Sequence, residues 1–304
     1  MASQPLAVFA LLGLGNRNLS VEIKSPDGSG SSSSQWQRHA NMTVYVPACK
    51  SLAVRGCLVG LDIQDVTCDL VLTTDDSKDR NYEGQFAVRG VKGNVTIDQV
   101  PVRALSGVTG NVRYTATNEF VNGGTNHEGG LRSRFSYATD VTRIDNVQGS
   151  LIADFLRTDL KLAAIGGLVD VVNRYGTTEL TLNKSKSDGV QRIVSESGTI
   201  SIVGPAAMLK KALLRAYTQC GTIRTNLGND ILEDVNFSTG RPQMSWHGFT
   251  APSSEPFSME KFDRPAAVLE GRERSIGFDV ISRAGEISIM ALNKADRVRQ
   301  RKQK

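Results

Sequence analysis

One five-residue phrase recurs along this chain: glycine, a polar residue, an apolar β-former, a polar residue, a second apolar β-former. It stands at Gly93-Asn94-Val95-Thr96-Ile97, Gly110-Asn111-Val112-Arg113-Tyr114, Gly198-Thr199-Ile200-Ser201-Ile202 and Gly285-Glu286-Ile287-Ser288-Ile289. A looser copy is Gly167-Leu168-Val169-Asp170-Val171, and Gly221-Thr222-Ile223-Arg224-Thr225 begins another. Period-two alternation puts the two apolar residues on one side of a short strand and the polar residues on the other. Burying two such side chains stabilises a unit by roughly 3–6 kcal/mol. Ordering about eight or nine residues costs more than that. A unit of this size therefore stands only when stacked on its neighbours, and the expected fold is an all-β solenoid (a β-helix of short strands).

The series extends well beyond the phrase. Apolar positions expected to face inward are Leu52/Val54, Leu61/Ile63, Leu70/Leu72, Phe86/Val88, Val95/Ile97 and Val112/Tyr114. Val141, Leu151, Leu160/Leu162, Val169/Val171, Leu180/Leu182 and Ile193 continue it, and Ile200/Ile202, Ile223, Phe278/Val280 and Ile287/Ile289 close it. Sandwich and barrel strands are usually longer and joined by hairpin turns. Here each strand has room for two inward residues, and glycine recurs where the chain must turn a corner. The 29 glycines and the 6% aromatic content follow from that economy.

Three regions are expected. Residues 1–41 hold an apolar run, Leu6 to Leu14, and a low-complexity loop, Ser25 to Ser34. The run is too short to span a bilayer. It matches a signal-peptide hydrophobic region in length but has no preceding cation, and it is open between that and a first buried strand continued by Leu19 to Ile23, the strand slightly ahead. Residues 42–290 are the solenoid, interrupted near 117–134 and 229–271. Residues 291–304 are a basic tail expected to be disordered. From Lys294 to Lys304 six basic residues face one acid, which accounts for the whole net charge of +5. The rest of the chain is balanced, which argues against a nucleic-acid stripe. Ala206 to Tyr217 is open between a short amphipathic helix and another strand.

Function is expected where the repeat stops. The segment 229–271 carries Phe237, Trp246, Phe249 and Phe257, which either cover an exposed edge of the stack or form an interaction surface for a protein or glycan. Acid–base candidates are Asp75, Asp76 and Asp79 in a turn-like stretch, and Arg143 with Asp145. No nucleophile elbow, phosphate loop or complete dinucleotide fingerprint is present. Cys49, Cys57, Cys68 and Cys220 lack zinc-site spacing; Cys57 and Cys68 lie about one repeat apart, open between a disulfide and buried thiols. The expectation is a non-enzyme without cofactor or metal. Membrane association through either end is an alternative, as is a carbohydrate-active β-helix.

The units Leu52 to Gly56, Val91 to Ile97, Val194 to Ile202 and Val280 to Ile289 resemble the repeat of a bacterial adhesin-type family of β-solenoids, a domain of unknown function. Val44 to Ala48 is similar to that family's lead-in, with Cys49 where glycine is usual. On this resemblance the expected single-stranded β-helix is right-handed and often exported or membrane-tethered, in the cell envelope or otherwise extracytoplasmic, with no agreed enzymatic activity and no catalytic residues to carry over.

Overall fold

The computed structural model describes residues 8–12, 19–23, 49–55, 61–73, 86–117, 141–182, 190–209, 212–218, 220–227, 235–239 and 277–292. The chain divides into two compact units, Met1–Tyr45 and Val46–Lys304. In the first, β1 (Val8–Leu12) and β2 (Leu19–Ile23) pair antiparallel, with Val8 opposite Ile23 and Leu12 opposite Leu19.

The described residues of the second unit lie almost wholly in short strands. In chain order they begin with β3 (Ser51–Arg55), β4 (Leu61–Gln64), β5 (Asp69–Thr73), β6 (Phe86–Val91), β7 (Val95–Asp98), β8 (Ala104–Val108) and β9 (Val112–Ala116). β10 (Val141–Val147), β11 (Leu151–Arg157), β12 (Asp159–Ile165), β13 (Val169–Tyr175), β14 (Thr178–Thr181), β15 (Val190–Ser197) and β16 (Ile200–Pro205) follow. A single helical turn, α1 (Ala206–Leu209), leads to β17 (Leu213–Thr218), β18 (Ile223–Thr225), β19 (Val235–Thr239), β20 (Gly277–Ala284) and β21 (Ile287–Leu292). The stretch 206–217 thus resolves its ambiguity both ways, helix first and strand after.

Among the described strands, β3 to β19 alternate between two sheets, β20 joins the same sheet as β19, and every pairing within those sheets is parallel. One sheet has nine strands in the order β18-β21-β16-β14-β12-β10-β8-β6-β4; the other has ten, β19-β17-β20-β15-β13-β11-β9-β7-β5-β3. The recurring phrase is therefore half of a coil, and a full coil returns to the same sheet. Equivalent residues sit 17 apart at Asn94 and Asn111 and 18 apart at Ser150 and Leu168. Insertions stretch the step to 25 between Asp69 and Asn94 and to 39 between Asn111 and Ser150 without breaking the register.

Inward positions form one continuous core. Leu70, Val95, Val112, Leu151 and Val169 stack in one column, and Leu72, Ile97, Tyr114, Ala153, Val171, Ile193, Val280 and Ala216 in the next, each buried. Tyr114 is the largest of these side chains. Its hydroxyl donates toward the carbonyls of Val100 (2.9 Å) and Val102 (3.0 Å), and its ring meets Phe155 edge-on at 4.7 Å. One expected inward residue is corrected. Val141 is 42% exposed, because β10 turns Thr142, Ile144 and Val147 inward instead.

The nine-stranded sheet bends at one column. Asp65, Gly90, Gly107, Asn146 and Ala164 all have positive φ, between 51° and 69°. That left-handed residue resets the alternation, so inward side chains fall three apart: Val88 and Val91, Leu105 and Val108, Ile144 and Val147, Leu162 and Ile165. At the following corner, glycines stack on one another. A Cβ added to Gly110 would lie 2.5 Å from the carbonyl oxygen of Gly93, and one on Gly149 2.5 Å from that of Gly110. The polar residue after each glycine ties the rungs together. Asp69 accepts from the Asn94 amide, Asn94 from the Asn111 amide and Asn111 from the Ser150 amide, at 2.8–2.9 Å.

The final coil departs from chain order. β20–β21 lies between β15–β16 and β17–β18, although it comes last in sequence. Val280 is opposite Ile193 on one side and Ala216 on the other, while Ile287 is opposite both Ile200 and Ile223.

Candidate functional site

The continuous apolar core leaves the outward side chains as the surface with chemical variety. On the ten-stranded sheet these are the residues between inward neighbours. One outer column runs Thr96, Arg113, Ile152, Asp170, Arg192, Asp279, and the next runs Asp98, Thr115, Asp154, Val172, Val194, Ile281, Tyr217. Strand geometry places members of one column on adjacent rungs, within side-chain reach.

The character of this face changes along the stack. At β9 and β11 it is open: Arg113 is exposed and Ile152 is 48% exposed, an unusual position for a large apolar side chain. At β11, β13 and β15 it is a network of charges. Arg174 donates to Asp154 and lies 3.8 Å from Glu196, whose other oxygen accepts from the Tyr175 hydroxyl at 3.1 Å. The Arg157 guanidinium sits 5.6 Å from the centre of the Tyr175 ring, and Arg192 donates to Asp170 at 3.2 Å. Farther along, Val194, Ile281 and Tyr217 are buried although they lie in an outward column, and Val172 packs against them.

The electrostatics match this pairing. The hydrogen bond to Asp154 holds the Arg174 guanidinium pKa above its usual value, against the opposing effect of burial. Glu196, by accepting a hydrogen bond from the Tyr175 hydroxyl, raises that phenol's pKa. Asp154 and Glu196 are thus engaged by the same guanidinium. That arrangement orders an outer surface.

The residues expected from sequence distribute unevenly. Phe237 is on β19, opposite Ala216 of β17. Trp246, Phe249, Phe257, Asp75, Asp76, Asp79 and Cys57 lie outside the described residues. Arg143 is exposed on β10 and Asp145 half-buried, with Asn146 donating to the Asp145 carboxylate at 3.3 Å. Cys68 sits beside Cys49, with their sulfurs 2.9 Å apart. Neither a family model, nor a curated protein, nor a solved structure matches this chain.

The Asp154–Arg174–Glu196 network is absent from the sequence-level candidates. Its members are separated by a full coil, 20 residues for Asp154 and Arg174, so no local motif unites them. The signal that finds them is shared outward parity at coil spacing. Among the described residues, no group of three or more His, Cys, Asp or Glu is placed to hold a metal ion. No helix among them is long and apolar enough to cross a membrane.

Proposed function

We propose that the chain is an adhesin-like β-solenoid, one strand path wound right-handed, serving as a non-catalytic structural or interaction module for a protein or glycan partner. Parallel strands joined by crossovers in one sheet are right-handed in nearly all folds, which supports the winding. The observation that carries the functional reading is the outer face of the ten-stranded sheet around β9, β11 and β13. There an exposed Ile152 is bordered by Arg113 and Asp170 on a rigid, register-locked lattice. An apolar side chain flanked by two opposite charges on a preformed surface is a feature that an interaction face can use.

An array of immobilised neutral and acidic polysaccharides, probed with the full chain, tests this reading. Retention that falls about tenfold in the Ile152→Asp, Arg113→Glu double variant is expected, a loss of about 1.4 kcal/mol. Melting should be unchanged, since both side chains face out. Shortening of a polysaccharide during incubation would overturn the non-catalytic part. Retention unaffected by the double variant would move binding away from this face.

A further inference from the structure

Cys68 occupies, in its coil, the corner position that Gly93 and Gly110 occupy in the next two. A Cβ on Gly93 would lie 2.6 Å from the Cys68 carbonyl, as one on Gly110 would lie 2.5 Å from that of Gly93. A side chain at this corner is therefore directed at the preceding rung. For Cys68 that rung is the one containing Cys49. β3 is the last strand of the ten-stranded sheet on that side, with Ser51 opposite Asp69 and the Asp69 amide bonded to the Lys50 carbonyl at 3.3 Å. The two sulfurs come within 2.9 Å of each other; Cys68 is 6% exposed and Cys49 half-buried.

We propose that Cys49 and Cys68 form a reversible disulfide that staples the edge strand β3 to β5. The co-reactant is a low-molecular-weight disulfide such as oxidised glutathione. Cys49, the more accessible thiol, attacks it as thiolate; one S–S bond breaks, a mixed disulfide forms on Cys49, and one small thiol leaves. The Cys68 thiolate then attacks the Cys49 sulfur, forming the intramolecular bond and releasing a second small thiol. Both protein thiols are oxidised, one small disulfide is reduced to two thiols, and the two protons end on them. Reduced small thiol reverses both steps. Burial, reinforced by Cys49, pushes the Cys68 thiol up to about 11.

The bond closes a short loop and fixes a strand that pairs, among the described strands, with β5 alone, so the oxidised chain should melt about 5 °C higher than the reduced one. The test equilibrates the full-length chain with oxidised or reduced glutathione, maps peptides without reduction, and records melting. A Cys49–Cys68 linked peptide is expected in the oxidised sample, retained in Cys57→Ser and lost in Cys49→Ser, with the melting difference lost alongside it. Cys68 linked to Cys57 or Cys220, or both thiols free under oxidising conditions, would overturn the assignment. Equal melting of oxidised and reduced chains would overturn the staple.

Discussion

Val171 and Asp170 are adjacent in sequence and opposite in environment. Val171 is fully buried between Ala153 and Ile193, while Asp170 faces out and accepts from Arg192. Val171→Asp should lower stability by at least about 4 kcal/mol, through an unpaired charge in the core. Asp170→Ser should cost less than about 1 kcal/mol, the worth of a partly exposed ion pair. Chemical denaturation of the two variants checks both, and equal costs would contradict the alternation. Tyr114 adds a pH-dependent term. Burial holds its phenol pKa well above the usual value. In the unfolded chain the phenol loses its proton near about pH 10, while the folded state keeps it, so stability falls as pH rises past that point. Tyr114→Phe should flatten this alkaline loss, at a cost of about 1–3 kcal/mol from the carbonyls of Val100 and Val102; denaturation at neutral and alkaline pH compares the slopes. At this scale the sequence was highly legible. Alternation alone identified Leu70, Ile97, Val171, Ile202 and Ile289 as core. It missed Val91, Val108, Val147 and Ile165, because a left-handed residue shifts each of them out of period-two phase.

Single strands here are held as much by their corners as by their side chains. Gly198 has φ +154°, and a Cβ there would lie 2.0 Å from the Gly176 carbonyl oxygen. Gly198→Ala must displace the adjacent rung and should cost about 2–3 kcal/mol. Ala164 presents the reverse case. It holds φ 54° in the column shared with Gly90 and Gly107, so Ala164→Gly should stabilise by about 1 kcal/mol as the left-handed strain is relieved. Thermal melts of the two variants should move in opposite directions, and a shift of the same sign would contradict the corner account. The glycine of the phrase was readable as a corner. The role of the residue after it was not. Asn94, Asn111 and Ser150 look like generic polar positions until the coil spacing brings each against the backbone of the next rung. The left-handed column was hidden for a related reason. Aspartate, glycine, asparagine and alanine all occupy it, so no residue type marks the bend.

The order of coils is a property of the whole stack, and local pattern carries no information about it. β20–β21 has the same phrase as its neighbours, and its place between β15–β16 and β17–β18 rests on contacts distant in sequence. Asn226 both donates to and accepts from the backbone of Ala291, and Arg224 reaches Glu286 at 3.5 Å. The outer-face network at Asp154, Arg174 and Glu196 was illegible for the same reason: its residues meet only once the coil length is known. Chain order alone would have β17–β18 stack directly on β15–β16, and the matched positions Ile200 and Ile223 would permit that pairing. The arrangement with the last coil inserted is the central structural claim, and hydrogen-bond scalar couplings across the strands test it most directly. In a deuterated, isotope-labelled full chain, the Ile287 amide should couple to the Thr222 carbonyl and the Ile200 amide to the Glu286 carbonyl, two of the bonds that hold the inserted coil, each at 2.9 Å. Coupling of the Ile200 amide to the Thr222 carbonyl instead would place β18 directly on β16 and contradict the insertion.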